Sequence, residues 1–304
     1  MRTNAGSIRI SFEKRGNRTV AIKTYRDVNL RISSNESPDP SLPFYFLIAT
    51  GGGYAEGEHY LQEITTGDDT YAIVTTQTPT YIYRCDNGIE TVQESRYFVS
   101  RNAFLELYMD EVIPYPNACY KQRSVVHLAP GAVLILTDGL TGGWSPDGKS
   151  FAARCIDQGI RVFREERLIY QDHLYLDMTA EKMQEMGFFG RGNTNYNVVT
   201  VLDESVDQQM VERIRKTLSD LHYSGTWGVS LLPEGGFTFR VLSEDGPKNY
   251  SLMAALIRTF RETEKGLPPL RSSKAERSRM RPYNSIECAG NRADTRLFVQ
   301  DSKI

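Results

Sequence analysis

Ile8-Arg-Ile-Ser-Phe12 carries an apolar side chain at every second position, the period of a strand with one face buried. The same alternation returns in Val28-Asn-Leu-Arg-Ile32, Tyr71-Ala-Ile-Val-Thr-Thr76, Phe104-Leu-Glu-Leu-Tyr108, Val125-Val-His-Leu128 and Gly159-Ile-Arg-Val-Phe163. Turn-forming residues separate these stretches, at Asp86-Asn-Gly88, Ala129-Pro-Gly131 and Pro146-Asp-Gly148. No amphipathic helix interrupts the pattern up to about Leu176. Many strands without crossover helices imply antiparallel layers, a barrel or an irregular β-helix, and exclude a doubly wound sheet. The absence of a fixed sequence period argues against a regular solenoid.

Past Gly190-Arg-Gly192 the pattern changes. Tyr196–Leu202 reads as a strand. Val206, Met210, Ile214, Leu218 and Leu221 then recur at helical spacing, with Ser205 and Gln208 placed for a capping box. Strands near Trp227–Leu232 and Phe237–Leu242 follow, turning at Pro233-Glu-Gly-Gly236. A second helix aligns Met253, Leu256, Ile257 and Phe260 and ends around Gly266-Leu-Pro268. The expected organisation is a mainly β body over 1–190, a β-α-β-β-α portion with two helices packed on it over 191–270, and a basic, flexible tail over 271–304.

The chain has 304 residues, and 36 Lys and Arg against 38 Asp and Glu leave a formal net charge of -2. That balance argues against a nucleic-acid partner or an acidic membrane surface. Cys85, Cys119, Cys155 and Cys288 match neither a zinc-site spacing nor a compact disulfide framework, so reduced structural thiols in the cytoplasm are expected. No run of 18 apolar residues occurs and the first residues lack a secretory segment, which makes membrane association unexpected.

Catalytic motifs are scarce. Gly51-Gly-Gly53 is not followed by the Lys-Ser/Thr of a phosphate loop. The histidines at 59, 127, 173 and 222 have no second histidine at i+2 or i+4. The adjacent pairs Glu58/His59 and Asp172/His173 point to opposite faces of a strand, so neither chelates from one side. Glu58, Asp110, Asp138 and Asp172 are more informative, because they stand in or beside apolar strands, where a charge is costly unless paired, hydrated or bound to a cation. One reading makes Asp110 and Asp138 the acid and base of a carbohydrate-active enzyme, which requires an open cleft.

Four ordered blocks support a different reading. They are Gly51-Gly-Gly-Tyr-Ala-Glu-Gly-Glu-His-Tyr60, Thr75-Thr-Gln-Thr-Pro-Thr-Tyr-Ile-Tyr83, Asp110-Glu-Val-Ile-Pro-Tyr115 through Gln122-Arg123 to His127-Leu-Ala-Pro-Gly131, and Thr137-Asp-Gly-Leu-Thr-Gly-Gly-Trp-Ser-Pro-Asp-Gly148. Together they resemble the urease accessory protein D family, called H in some bacteria, over roughly residues 8–270. Glu58 stands where that family commonly has Asp, Gly142 where Pro is common, and Tyr81 where Lys is usual. The resemblance implies a non-canonical β-helical body with two helices and a non-enzymatic role. It also implies F and G accessory proteins as partners, a dimeric assembly through F, and docking on apo-urease, with nickel passing through an internal tunnel as cargo. Carried over position by position, the tunnel residues fall at Glu58, Thr78, Thr80, Asp138 and Asp172, with transient nickel contacts at Glu58 and Asp138. Gly51, Gly52, Gly53, Gly57, Thr76 and Gln77 match the family's structural motif positions. No tightly bound cofactor is expected. Weak oxygen ligands in series let a cation enter and leave, whereas a His/Cys cage would hold it.

Overall fold

The computed structural model describes residues 3–37, 39, 41–178, 183, 185, 189 and 192–270. The basic tail at 271–304 therefore lies outside the described residues, as does Cys288.

Strand β1 (Thr3–Arg15) turns back on β2 (Arg18–Arg26), and a short β3 (Leu30–Ile32) leads into a coil of strands. These are β4 (Phe44–Ala49), β5 (Glu58–Thr66), β6 (Tyr71–Thr76), β7 (Thr80–Ile82), β8 (Thr91–Val99), β9 (Phe104–Tyr108), β10 (Val112–Pro114), β11 (Cys119–Leu128), β12 (Val133–Thr141) and β13 (Cys155–Arg164). Successive long strands alternate between two facing sheets. β5, β8, β11 and β13 lie parallel in one; β4, β6, β9 and β12 lie parallel in the other. Of the architectures left open by the alternation, the irregular β-helix is the one adopted. Its turns are unequal: register aligns His59 with Val92, Tyr120 with Thr91 and Cys119 with Cys155. These are steps of 33, 29 and 36 residues, which no fixed-period comparison detects.

Antiparallel strands finish both sheets. β14 (Arg167–Asp177) folds back on β13. β15 (Asn195–Leu202), β16 (Thr226–Leu231) and β17 (Phe237–Ser243) extend the second sheet beyond β12 in the order β12-β15-β17-β16. The outer face of that sheet is covered by α1 (Gln208–Ser219), α2 (Gly246–Arg258) and a π-helical turn (Thr259–Glu264). Met210, Val211, Ile214 and Leu218 of α1 pack with Leu256, Ile257 and Phe260 against Ile135, Val199, Phe237 and Phe239. Burying these faces is the main stabilising contribution of the helices. The capping box expected at Ser205 is absent. Asp207 caps α1, accepting from Met210 N at 2.7 Å, while Ser205 donates to Asp203 at 2.7 Å. An aspartate one position before the helix reaches the free amides more directly than a serine three positions before it. No helix among the described residues is long and apolar enough to cross a membrane.

Inside the coil, inward positions form rows that run across the strands. One row reads Ile10, Ile64, Tyr97, Val126 and Val162; the next two read Ile8, Gln62, Ser95, Ser124 and Ile160, then Tyr60, Gln93, Gln122 and Gln158. The interior is thus apolar toward the strand ends and polar toward their starts. Stacking of like residues on like residues is a consequence of parallel register, and it builds the site described below.

The cysteines depart from expectation in the same way. Cys119 and Cys155 occupy paired positions on β11 and β13 with Cα atoms 4.7 Å apart, and they are disulfide-bonded. Their separation of 36 residues is one turn of the coil, so a spacing without meaning in the linear chain is a direct contact in the fold. Cys85 is buried and free, one turn earlier, with its Sγ accepting from Cys119 N at 3.3 Å.

Candidate functional site: a polar passage between the sheets

Two cavities lie between the sheets. The larger, ≈ 70 Å³, has Asp110, Asp138, Asp172, Gln122 and Gln158 among its walls. The smaller, ≈ 50 Å³, runs beneath Gly52, Gly53, Tyr54, Thr78 and Tyr81. Gln62, Thr76 and Thr80 line both, so the two spaces adjoin with these side chains at their boundary. Each has room for several waters, since about 10–15 Å³ accommodates one. No lysine or arginine among the described residues lines either space. Asp110 and Asp138 with many amide and hydroxyl groups make an interior that favours cations over anions, while the charge of Asp172 is offset by Arg240.

Asp138 is the deepest of the three. β12 carries Leu134, Leu136, Asp138 and Leu140 on its inward face, so the carboxylate takes a position that the strand pattern otherwise fills with leucine. Gln122 Nε2 donates to its Oδ2 at 2.6 Å, Gly139 N to its Oδ1 at 2.8 Å, and Gln158 Nε2 to Oδ1 at 3.4 Å. What accessible surface it keeps faces the cavity. Burial pushes its pKa up to about 6; the Gly139 amide and Gln122 oppose the rise, and the charge of Asp172 adds to it. The glutamines are themselves ordered by their row: Gln158 Nε2 reaches Gln122 Oε1 at 3.4 Å, and Tyr120 OH donates to the same oxygen at 3.2 Å.

Asp172 on β14 forms the far wall. Arg240 Nη2 donates to its Oδ2 at 2.7 Å and Tyr170 OH to the same atom at 3.3 Å. The neighbouring His173 points the other way, to Asp157 at 2.6 Å on the outer face. His59 likewise faces outward, 3.4 Å from Glu94. Strand alternation thus separates each acid from its adjacent imidazole. At the opposite end Thr78 is exposed and lines the smaller cavity, which marks where that cavity meets the surface. Of the sequence-derived candidates, Thr78, Thr80, Asp138 and Asp172 line this pair of spaces.

Glu58 does not. Its Oε2 accepts from Ala55 N at 2.6 Å and from Tyr60 OH at 2.5 Å, and it lines neither cavity. The carboxylate fastens the loop entering β5 to Tyr60, whose ring stacks on Tyr54 at 3.6 Å. Its effect on the passage is through Tyr54, which is a wall of the smaller cavity.

Among the motif positions, Gly51 is exposed at the loop and Gly52 and Gly57 both have φ of +75°. Gly53 has no room for a side chain: a Cβ there would lie 2.9 Å from the Tyr81 carbonyl oxygen and 2.9 Å from Tyr83 Cζ. Gly53→Ala therefore displaces the wall of the smaller cavity and costs about 1–3 kcal/mol. A drop in melting temperature tests this, and a variant melting with the wild type would refute it. Gln77 is exposed, and its N–H donates to Leu47 O at 3.0 Å. Thr76 is more than a structural position. Its hydroxyl donates to Asp110 Oδ2 at 2.9 Å, accepts from Asp110 N at 2.9 Å, and borders both cavities.

Gln62, Gln93, Gln122 and Gln158 were legible as polar residues at inward positions of alternating strands, but only register reveals that the last three stack. Asp110 and Asp138 line one small space between the sheets. Its volume is far below the ~300–1,000 Å³ of ordinary ligand pockets, which removes the basis for a sugar-cleaving pair. No group of three or more His, Cys, Asp or Glu among the described residues is arranged to hold a metal ion.

Comparison with known proteins bears on most of the chain. The family model described as UreD urease accessory protein matches residues 4–274. A urease accessory protein UreD from Streptococcus salivarius (strain 57.I) is 33% identical over 274 residues, covering 90% of this chain and 98% of its own. One from Bacillus cereus (strain ATCC 10987 / NRS 248) is 27% identical over 263 residues, covering 86% and 95%. One from Actinomyces naeslundii is 29% identical over 269 residues, covering 88% and 98%. These relatives are named as accessory proteins and not as enzymes. The chain belongs to the UreD family of urease accessory proteins.

Proposed function

We propose that this protein serves urease maturation as a conduit, passing nickel ions through the space between its sheets toward apo-urease. It acts in the cytoplasm with F- and G-type accessory proteins, in an assembly made dimeric through F. The observation that carries the reading is the adjoining of the two cavities at Gln62, Thr76 and Thr80, with three acids in the wall of the larger and no basic side chain among the described residues in either wall. An ion crossing such a space exchanges water for single carboxylate, hydroxyl and amide oxygens. Each contact is weak enough to release, which suits transfer better than storage.

Asp138→Ala tests this. The variant is expected to co-purify with F, G and urease as the wild type does, while the nickel content of the urease formed falls about tenfold. One lost charged contact is worth an effect of that order. Thr76→Val and Thr80→Val, which leave charge unchanged, are expected to reduce it less. Wild-type nickel content in all three variants, with the assembly intact, would overturn the conduit.

A further inference from the structure

Gln62 has a singular position. Its residue is 4% exposed, it lines both cavities, and its Oε1 accepts no hydrogen bond from any protein group. Tyr54, itself fully enclosed and stacked on Tyr60, lies beside its side chain. The side chain has little freedom to turn away, because Ile8 flanks it in the same row on β1 and Ser95 on β8. A buried carbonyl oxygen without a protein donor is costly unless something in the adjoining space satisfies it.

We propose that Gln62 Oε1 is a cation-coordinating site at the neck between the two cavities, and that it determines whether a divalent cation crosses. This rests on the conduit reading above. An amide oxygen is a hard, neutral donor. It replaces one water of a hydrated divalent ion without adding the charge that would detain it. Thr76 and Thr80 stand at the same neck and add hydroxyl oxygens. The carboxylates Asp110 and Asp138 lie on the larger-cavity side only. The smaller cavity has no acid in its wall, so at this boundary an ion exchanges carboxylate contacts for neutral oxygens, and the loss of one of those oxygens is felt there.

The experiment uses the full chain in complex with its accessory partners and apo-urease, loaded with nickel ions alone. Gln62→Leu removes the oxygen at similar volume; Gln62→Glu keeps an oxygen and adds a charge. For Gln62→Leu, nickel reaching urease is expected to fall about tenfold with the complex intact. For Gln62→Glu, it is expected to fall as well, but with nickel retained on the complex through gel filtration, where the wild-type complex releases it. Gln62→Met replaces the leucine variant if the latter melts early. Wild-type delivery by Gln62→Leu or Gln62→Met, while Asp138→Ala is impaired, overturns the neck and leaves the conduit standing. Wild-type delivery by the Gln62 variants and by Asp138→Ala overturns both. Loss in Gln62→Leu without retention in Gln62→Glu overturns coordination at the neck, since a merely structural glutamine would give that result.

Discussion

Replacing Arg261 by alanine is expected to destabilise the protein by about 3–5 kcal/mol, the cost of leaving a buried charge without its partner. Arg261 and Glu106 have side chains 2% and 0% exposed, and Arg261 Nε donates to Glu106 Oε1 at 3.0 Å. The guanidinium also donates through Nη2 to Tyr71 OH at 2.9 Å and through Nη1 to Pro268 O at 3.0 Å. Glu106 accepts from the hydroxyls of both Tyr71 and Tyr108. The network is closed: Arg261 comes from the π-helical turn, Glu106 and Tyr108 from β9, and Tyr71 from β6. Removing Arg261 leaves a carboxylate on the outer face of the second sheet, in a layer otherwise built from Ile135, Phe237 and Phe260.

The pair itself need not be stabilising. Exchanging both partners for apolar residues, as in Glu106→Leu with Arg261→Met, is expected to cost much less than Arg261→Ala alone. A double-mutant cycle read by urea denaturation separates the two quantities. An Arg261→Ala variant within 1 kcal/mol of wild type would mean that solvent reaches Glu106, contrary to its enclosure.

Much of the fold was legible because a half-buried strand repeats every two residues whatever its neighbours are. Ile8 to Phe12 and Phe104 to Tyr108 announce themselves locally, and both are strands. What lies beside a strand is set by the length of the connection, and here connections vary. His59 lies beside Val92 while Thr91 lies beside Tyr120, so neither the parallel coil nor the Cys119–Cys155 contact could be read by counting residues. The α1 cap was misplaced for a related reason. Both Ser205 and Asp207 suit a helix start, and only the tertiary path of the backbone decides which one faces the free amides.

The site was legible where one side chain carries the signal. Asp138 interrupts a run of inward leucines and Asp172 stands beside apolar strand residues, whereas Thr80 came only from the family resemblance. It was illegible where the feature is collective. A glutamine on one strand is unremarkable, but Gln93, Gln122 and Gln158 at one level of a parallel sheet form an amide wall that orients donors toward Asp138. Glu58 shows the opposite case. The family resemblance set it on the passage, and in the structure its Oε2 is held by Ala55 N and Tyr60 OH.

The second large effect concerns the charge on Asp138. Asp138→Asn is expected to be more stable than wild type at pH 7.5, by up to about 3 kcal/mol, while delivering less nickel. The folded pKa of about 6 lies above the ordinary 3.8. Between those values the folded protein holds a proton that the unfolded chain has released, so wild-type stability falls as pH rises from about 4 to about 6 and is level above. Two pKa units at ~1.4 kcal/mol each set the size. Asparagine removes that slope, so the two proteins should have similar stability near pH 4 and diverge through pH 6. Urea denaturation at a series of pH values measures the divergence; parallel curves would mean that the carboxylate is no costlier folded than unfolded. A residue that weakens the apo fold at neutral pH, in a position where leucine is the local pattern, needs a reason outside stability. The proposed passage of a cation supplies one, because a cation in the cavity interacts directly with a carboxylate that burial has made costly.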